Sequence, residues 1–112
     1  MSTEQESMRR IFQKPGINNA RHLVNEYDFR LEGILTNIRI WLYAGLTGDW
    51  VEAEQDYYLQ APGMKEPAVP ETQRYRNKEE AVEEIVASFL EGYRQAVAAG
   101  HTPSSDWLMP AY

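Results

Sequence analysis

The side chains that could bind a metal ion or transfer a proton are two histidines and several groups of carboxylates. His22 follows Asn19 by three residues and His101 follows Ala98, so neither completes the Glu-x-x-His pattern of a di-iron bundle. The His-Glu-x-x-His zinc pattern and the EF-hand calcium loop are also missing. We therefore expect no metal-binding residues, no cofactor and no catalytic residues of a known motif.

Motifs for nucleophilic catalysis and phosphate binding are missing as well. The chain has no cysteine, which excludes thiolate nucleophiles, disulfides and cysteine-bound metals. It contains neither Gly-x-Ser-x-Gly nor a glycine-rich phosphate loop. His101, Ser104, Ser105 and Asp106 are close in sequence, but so local a cluster is not typical of a rigid triad. The sequence leaves enzymatic activity open and favours a protein without it.

Carboxylates crowd the predicted start of the last helix. Acidic pairs four residues apart destabilise a helix by roughly 0.2–0.5 kcal/mol, whereas its N-terminus stabilises each acid by about 0.3–1 kcal/mol. These two effects nearly cancel, so the favourable position of acids at a helix N-terminus can alone explain why the carboxylates are grouped there. The functional alternative is a docking surface for lysine or arginine. The residues of that surface are Glu79, Glu80, Glu83 and Glu84.

Aromatic residues are concentrated between positions 41 and 58. One interpretation is that the large rings fill one end of a helical bundle. The other is a ligand pocket or an interface, because Trp and Tyr are enriched at binding hot spots. An arginine near these rings would add a cationic contact for an anionic ligand. The pocket residues of this hypothesis are Arg39, Trp41, Tyr43, Trp50, Tyr57 and Tyr58.

A further apolar group follows the last predicted helix, after Pro103 and two serines. In water these side chains would form an exposed apolar patch. They either fold back onto their own chain or dock on another chain, and the sequence leaves both alternatives open. The members of this apolar group are Trp107, Leu108, Met109 and Tyr112. Together with the four glutamates of the acidic surface, they are the predicted partner-binding residues.

The elements that position these residues are predicted from an apolar stripe that repeats every 3.5 residues. This heptad spacing predicts one long helix over residues 19–44 that buries one face. We therefore predict an all-α fold, a small bundle of three to four helices around this central helix. The members of the stripe are Ala20, Val24, Tyr27, Leu31, Ile34, Ile38, Trp41 and Gly45.

The other elements follow from capping residues, glycines and prolines. A short helix is expected within residues 1–16, with residues 1–7 frayed, and a third helix over residues 49–60. Asn77 caps a last helix that ends before Gly100. The proline-containing segment 61–76 is predicted as a long loop, and residues 101–112 as an extended tail of this single domain.

The composition narrows the class of partner. The chain has 112 residues, a formal net charge of −6 and no apolar run long enough to span a membrane. The negative charge disfavours direct binding to nucleic acid and to anionic membranes. The polar, acidic N-terminal residues differ from a signal peptide, so we expect a cytoplasmic protein. Helices of this length in a small domain favour a homodimer or a place in a hetero-complex.

Three functional hypotheses remain. The first is a non-enzymatic protein-interaction module, an accessory subunit, assembly factor or inhibitor that binds a basic or apolar groove through its helix faces and tail. The second is a helical dimer that binds or converts a small molecule at the aromatic cluster of residues 41–58. The third is an acidic mimic of nucleic acid that inhibits a nucleic-acid-binding protein.

Overall fold

The computed structural model describes residues 4–112, in which it contains two α-helices, five strands and one 3₁₀ turn. In chain order they are α1 (Glu4–Phe12), β1 (Arg21–Phe29), β2 (Ile38–Gly45), β3 (Val51–Gln55), β4 (Tyr57–Leu59), α2 (Lys78–Ala98), the 3₁₀ turn (Ser105–Trp107) and β5 (Leu108–Pro110). No helix within the described residues combines the length and the apolar character needed to cross a lipid bilayer.

The prediction of an all-α helical bundle is wrong, because the segment 19–44 forms two strands and a turn instead of a central helix. Gly33 lies in that turn with a φ of 85°, a left-handed conformation that glycine adopts at little cost and that interrupts a helix. Beyond the turn, Ile38, Ile40 and Leu42 are all buried. Their spacing of two residues is the period of a strand with one buried face.

The predicted third helix over residues 49–60 is also a misassignment. This segment forms β3 and β4, and the preceding residues form the turn of a hairpin with β2. Val51, Ala53, Tyr57 and Leu59 alternate along it and all pack against the core. The intervening acidic residues made the segment resemble a polar helix with a capping box, although the apolar residues have period two.

The three-stranded sheet has the antiparallel order β1-β2-β3, and β4 pairs with β5. Asp56 joins the two sheets. Its N–H donates to the carbonyl of Arg39 (3.3 Å), its Oδ1 accepts from the N–H of Arg39 (2.8 Å), and its carbonyl accepts from Ala111 (2.9 Å). The strands β2 and β5 therefore lie end to end along the same edge of the β3–β4 segment.

Helix α2 covers one face of the sheet and agrees with its prediction to one residue. The side chain of Asn77 accepts a hydrogen bond from the N–H of Glu80 (2.8 Å), and Gly100 follows the helix with a φ of 92°. The ring of Phe89 meets that of Phe29 edge to face, with 5.5 Å between centroids. The segment 61–76 contains no helix or named strand. The residues that α2 buries are Ala81, Ile85, Phe89 and Ala96.

The two chain ends differ in how they pack. Residues 1–3, part of the segment expected to fray, lie outside the described residues, and residues 4–7 belong to α1. Near the other end, Trp107 and Leu108 are buried in the core and β5 pairs with β4. Of the alternatives left open for these two tail residues, the structure shows folding onto their own chain.

Candidate functional site: the open face of the sheet

The alternation of β2 divides its side chains between two faces. Ile38, Ile40 and Leu42 lie beneath α2, so Trp41 and Tyr43 lie on the opposite face. No helix within residues 4–112 packs across that opposite face, which we call the open face. Its members are Arg21, Leu23, Glu26, Asp28, Arg39, Trp41, Tyr43, Trp50, Glu52, Glu54 and Tyr58.

Each of three aromatic rings on the open face contacts an arginine. The guanidinium carbon of Arg21 lies 3.8 Å from the ring centroid of Tyr43, and that of Arg39 lies 6.0 Å from Trp41. Arg74 reaches over from the loop 61–76 and lies 4.1 Å from the ring centroid of Trp50. Cation–π contacts of this kind stabilise by about 0.5–1 kcal/mol at exposed sites.

The same arginines form ion pairs with carboxylates of the open face. Arg21 bonds Glu54 (2.6 Å) and Glu52 (3.4 Å), and Arg74 approaches Glu52 (3.7 Å). Burial alone would lower the pKa of Arg21, but its hydrogen bond to Glu54 and the two negative charges raise it above its ordinary value. These pairs hold the guanidinium groups against the rings and neutralise their charge.

A further ion pair on the open face joins β1 and β2. Arg39 Nε lies 3.2 Å from Glu26 Oε1, and both side chains are about half exposed. An ion pair this exposed adds little stability, because solvent screens it. Its structural effect is to fix the direction of Arg39 beside Trp41.

A cleft borders the open face beside β3 and β4, with a volume of about 180 Å³. Desolvation, followed by the negative charge of Glu54, raises the pKa of the Tyr112 hydroxyl above its ordinary value. In the wall of the cleft, the Nε2 atom of buried Gln55 donates to the carbonyl of Tyr57 (2.7 Å). The polar and aromatic residues that line the cleft include Glu54, Tyr58, Thr72, Tyr75 and Tyr112.

The sequence hypothesis of an aromatic pocket named six residues, and the structure separates one of them from the others. Arg39, Trp41, Tyr43, Trp50 and Tyr58 lie on the open face. Tyr57 points to the other side of β4 and packs against the core. The five residues line a surface, and the adjoining cleft is lined by Tyr58 alone among them.

The acidic residues at the start of α2 are divided between internal contacts and solvent. Glu80 accepts three hydrogen bonds from Arg76, two from its side chain (3.0 and 2.5 Å) and one from its backbone N–H (3.1 Å), and they lower the pKa of the Glu80 carboxyl. Glu84 accepts from the hydroxyls of Thr72 (2.8 Å) and Tyr75. Only Glu79 and Glu83 of the four are exposed.

The four apolar tail residues also have different environments. Trp107 is 5% exposed and Leu108 is 7% exposed, so neither offers a surface to a partner. Met109 (39%) and Tyr112 (84%) remain accessible. Tyr112 borders the cleft beside the open face, so this tail residue and the aromatic cluster belong to one continuous surface.

The sequence reasoning missed two arginines that organise the site. Arg21 lies at the start of the first strand, whereas Arg74 lies in the loop 61–76 after the fourth strand. Arg74 also donates to the Oδ1 atom of Asn19 (2.8 Å). The period-two alternation of β2 was the signal that could have placed Trp41 and Tyr43 together. Nothing in the spacing of the sequence indicates that Arg74 returns to Trp50.

Two polar atoms on the covered side of β1 have no partner in the described part of the chain. They are His22 Nδ1 and Asn25 Oδ1, both shielded from solvent. Among residues 4–112, no group of three or more His, Asp or Glu side chains is placed to hold a metal ion. His22 therefore does not belong to a metal cluster in the described residues.

No protein-family model matches the chain, and neither a curated protein nor a solved structure is significantly similar to it.

Proposed function

We propose that the chain is a non-enzymatic protein-interaction module, an accessory subunit, assembly factor or inhibitor that binds its partner through the open face. One observation supports this most strongly. Three aromatic rings, each contacted by an arginine, lie on a sheet face that α2 leaves uncovered. Trp, Tyr and Arg are the residue types most enriched at binding hot spots.

The contacts among these residues favour binding of a folded protein. Ordering flexible side chains on association costs about 0.5–1.5 kcal/mol for each one immobilised. Arg21, Arg39 and Arg74 are already held by carboxylates and rings before a partner arrives. Leu23, which is 50% exposed beside Tyr43, adds an apolar contact to this ordered surface.

The charges of the open face indicate the chemistry of the partner. The arginines are paired with Glu26, Glu52 and Glu54, so the aromatic centre is close to neutral. Asp28 lies exposed beyond them on β1. This arrangement suits a protein surface with an apolar centre and basic side chains at its rim.

Direct binding of nucleic acid is less well supported, although aromatic rings and arginines on a sheet can stack on bases. Such sites combine the rings with a positive groove that follows the phosphate backbone. Here Glu52 and Glu54 neutralise Arg21, and Glu52 also approaches Arg74. The acidic-mimic hypothesis has equally little support, because arginines interrupt the carboxylates on this face.

A small-molecule site is also less well supported by the geometry. The cleft of about 180 Å³ is smaller than the roughly 300–1,000 Å³ typical of ligand pockets. Trp41 and Trp50 do not line it. The broad aromatic surface beside the cleft matches a protein interface better than an enclosed ligand site.

The experiment that tests this function compares two variants with the wild type. Trp41→Ala removes the central ring, and Leu35→Ala removes an 83% exposed leucine from the β1–β2 turn as a matched control. Each immobilised protein is exposed to a lysate of the source cells, and the retained proteins are quantified by mass spectrometry. A purified candidate partner is then titrated by calorimetry.

We expect one partner that binds the wild type and Leu35→Ala equally. A hot-spot loss of about 2 kcal/mol predicts that Trp41→Ala weakens its dissociation constant about 30-fold. A partner retained equally by all three proteins would show that the open face is not its binding site.

A further inference from the structure

Helix α1 carries apolar side chains that its own chain leaves exposed. Met8 is 39% exposed and Ile11 is 45% exposed, on a helix whose other residues are mostly charged. The Nε atom of Arg9 donates to the carbonyl of Leu46 (3.0 Å) and anchors the helix at the end of β2. The apolar side of α1 is thus held in place without a cover in the described structure.

The molecule is elongated along one axis. Its principal extents are 60 × 23 × 22 Å, and its radius of gyration is 17.3 Å. A compact chain of this length has a radius of about 13 Å. Helix α2, the longest element, has 21 residues and is about 32 Å long at 1.5 Å per residue, which is shorter than the long axis of the molecule.

A shallow apolar groove with a volume of about 750 Å³ runs along α2, beside the side of the helix that is buried against the sheet. Val82, Val86 and Leu90 form its floor and are partly exposed. Because α1 is anchored at Leu46 with Met8 and Ile11 still exposed, α1 of the same chain does not fill this groove.

We propose that the chain forms a homodimer in which α1 of each copy docks into the α2 groove of the other. The apolar side chains of Met8 and Ile11 then contact Val86 and Leu90. In a dimer with two-fold symmetry this contact occurs twice, which doubles the apolar area that one helix–groove pair buries.

Charge complementarity identifies a second copy as the occupant and fixes the direction of docking. Helix α1 is acidic at its start, with Glu4, and basic near its end, with Arg9. The rim of the groove is acidic at Glu83 and Glu91 and basic at Arg94. An antiparallel arrangement of the two helices therefore places Glu4 near Arg94 and Arg9 near Glu91, because five residues of helix span about 7.5 Å.

The dimension of α1 also fits. Its nine residues span about 14 Å, and the groove from Val82 to Gln95 spans about 20 Å along α2. The proposal uses neither the rings nor the arginines of the open face. Failure of the dimer therefore leaves the proposed function untouched, and the converse also holds.

The test uses the absence of native cysteine. Two single-cysteine proteins, Met8→Cys and an affinity-tagged Leu90→Cys, are mixed under mild oxidation, and disulfide-linked species are resolved by mass. The control mixes Leu35→Cys with Leu90→Cys, because Leu35 is exposed but lies outside α1 and the groove. We expect at least tenfold more mixed dimer from the first pair than from the control.

Equal yields from the two mixtures would overturn the proposal. A Met8→Cys, Leu90→Cys double variant that closes within one chain and sediments as a monomer would overturn it in favour of docking within the same copy. Sedimentation of cysteine-free chains supplies a second measurement. The wild type is expected to sediment as a dimer, whereas Ile11→Glu and Val86→Glu are expected to be monomers with unchanged circular dichroism. A monomeric wild type at 100 μM would contradict the proposal.

Discussion

The indole ring of Trp50 lies against Gly45 across the β2–β3 hairpin, in the space that a Cβ atom at position 45 would occupy. Glycine at this position lets the ring lie flat on the sheet, where Arg74 contacts its other side. The hairpin therefore provides both the ring and the space for it. This pair determines how far Trp50 rises above the open face.

Replacing Gly45 with alanine is expected to displace the Trp50 ring. Overpacking of this kind costs about 1–3 kcal/mol of unfolding free energy, and tryptophan emission should shift to longer wavelength. Urea unfolding measures the first effect and fluorescence the second. In a Trp50→Ala background the same substitution is expected to cost much less, because the ring is gone. An equal cost in both backgrounds would show that the collision with Trp50 is not the cause.

The Tyr75–Glu84 hydrogen bond predicts a pH dependence of stability. Burial of Tyr75, followed by its hydrogen bond to Glu84, raises the pKa of the phenol well above its ordinary value of 10.0. The folded state therefore favours the protonated phenol, and this contribution is complete below pH 10 and is lost as the pH rises further. Tyr75→Phe is expected to lower the free energy of unfolding at pH 7 by about 1.5 kcal/mol.

The difference between the wild type and Tyr75→Phe should shrink between pH 10 and pH 11.5. Urea unfolding at pH 7, 9, 10 and 11.5 measures it, and Lys and Arg titration is common to both proteins. A difference that stays constant across this range would contradict the assigned role of the phenol.

The tail residues are expected to separate into two energetic classes. Trp107→Ala should cost about 3–5 kcal/mol, because Trp107 is 5% exposed and its ring lies 6.0 Å from that of Tyr93. Met109→Ala, at a 39% exposed position of β5, should stay within about 0.5 kcal/mol of the wild type. Thermal and urea unfolding check both. Similar costs at the two positions would contradict the packing of the tail.

Helix α2 could be predicted from the sequence because local chemistry and tertiary packing agree there. Asn77 caps the first turn, Gly100 follows the last one, and the apolar residues match a period of 3.6. The segment 61–76 could be predicted because three prolines exclude regular structure over most of it.

The strands could not be separated from a helix by the heptad stripe alone. The spacing of four and three residues from Val24 to Trp41 is shared by two strands and the turn between them. Gly33 and the period-two spacing of Ile38, Ile40 and Leu42 are typical of strands joined by a turn, whereas the long proline-free apolar segment that contains them is also typical of a helix. Tertiary pairing with β3 decides the outcome, and pairing partners are not visible in local sequence.

The sequence indicated the aromatic residues of the candidate site but not the arginines that contact them. Trp41, Tyr43 and Trp50 are close in sequence, and all three lie on the open face. Arg21 and Arg74 come to these rings through sheet register and the return of the loop, which depend on the whole fold. For the acidic residues at the start of α2, the sequence predicted a docking surface of four glutamates. Local contacts with Arg76 and Tyr75 occupy two of them.

Site-specific photo-crosslinking at Leu23 tests the central proposal most directly. Leu23 lies beside Tyr43 on the open face and is 50% exposed, and Leu35 is a matched exposed leucine away from that face. Benzoylphenylalanine replaces one or the other in the full chain, and each protein is irradiated in the lysate that contains the partner. The proposal predicts a light-dependent adduct of one defined mass from position 23, lost when Trp41→Ala is added, and none from position 35. Equal adducts from both positions, or none from position 23, would contradict the assignment of the open face as the partner-binding surface.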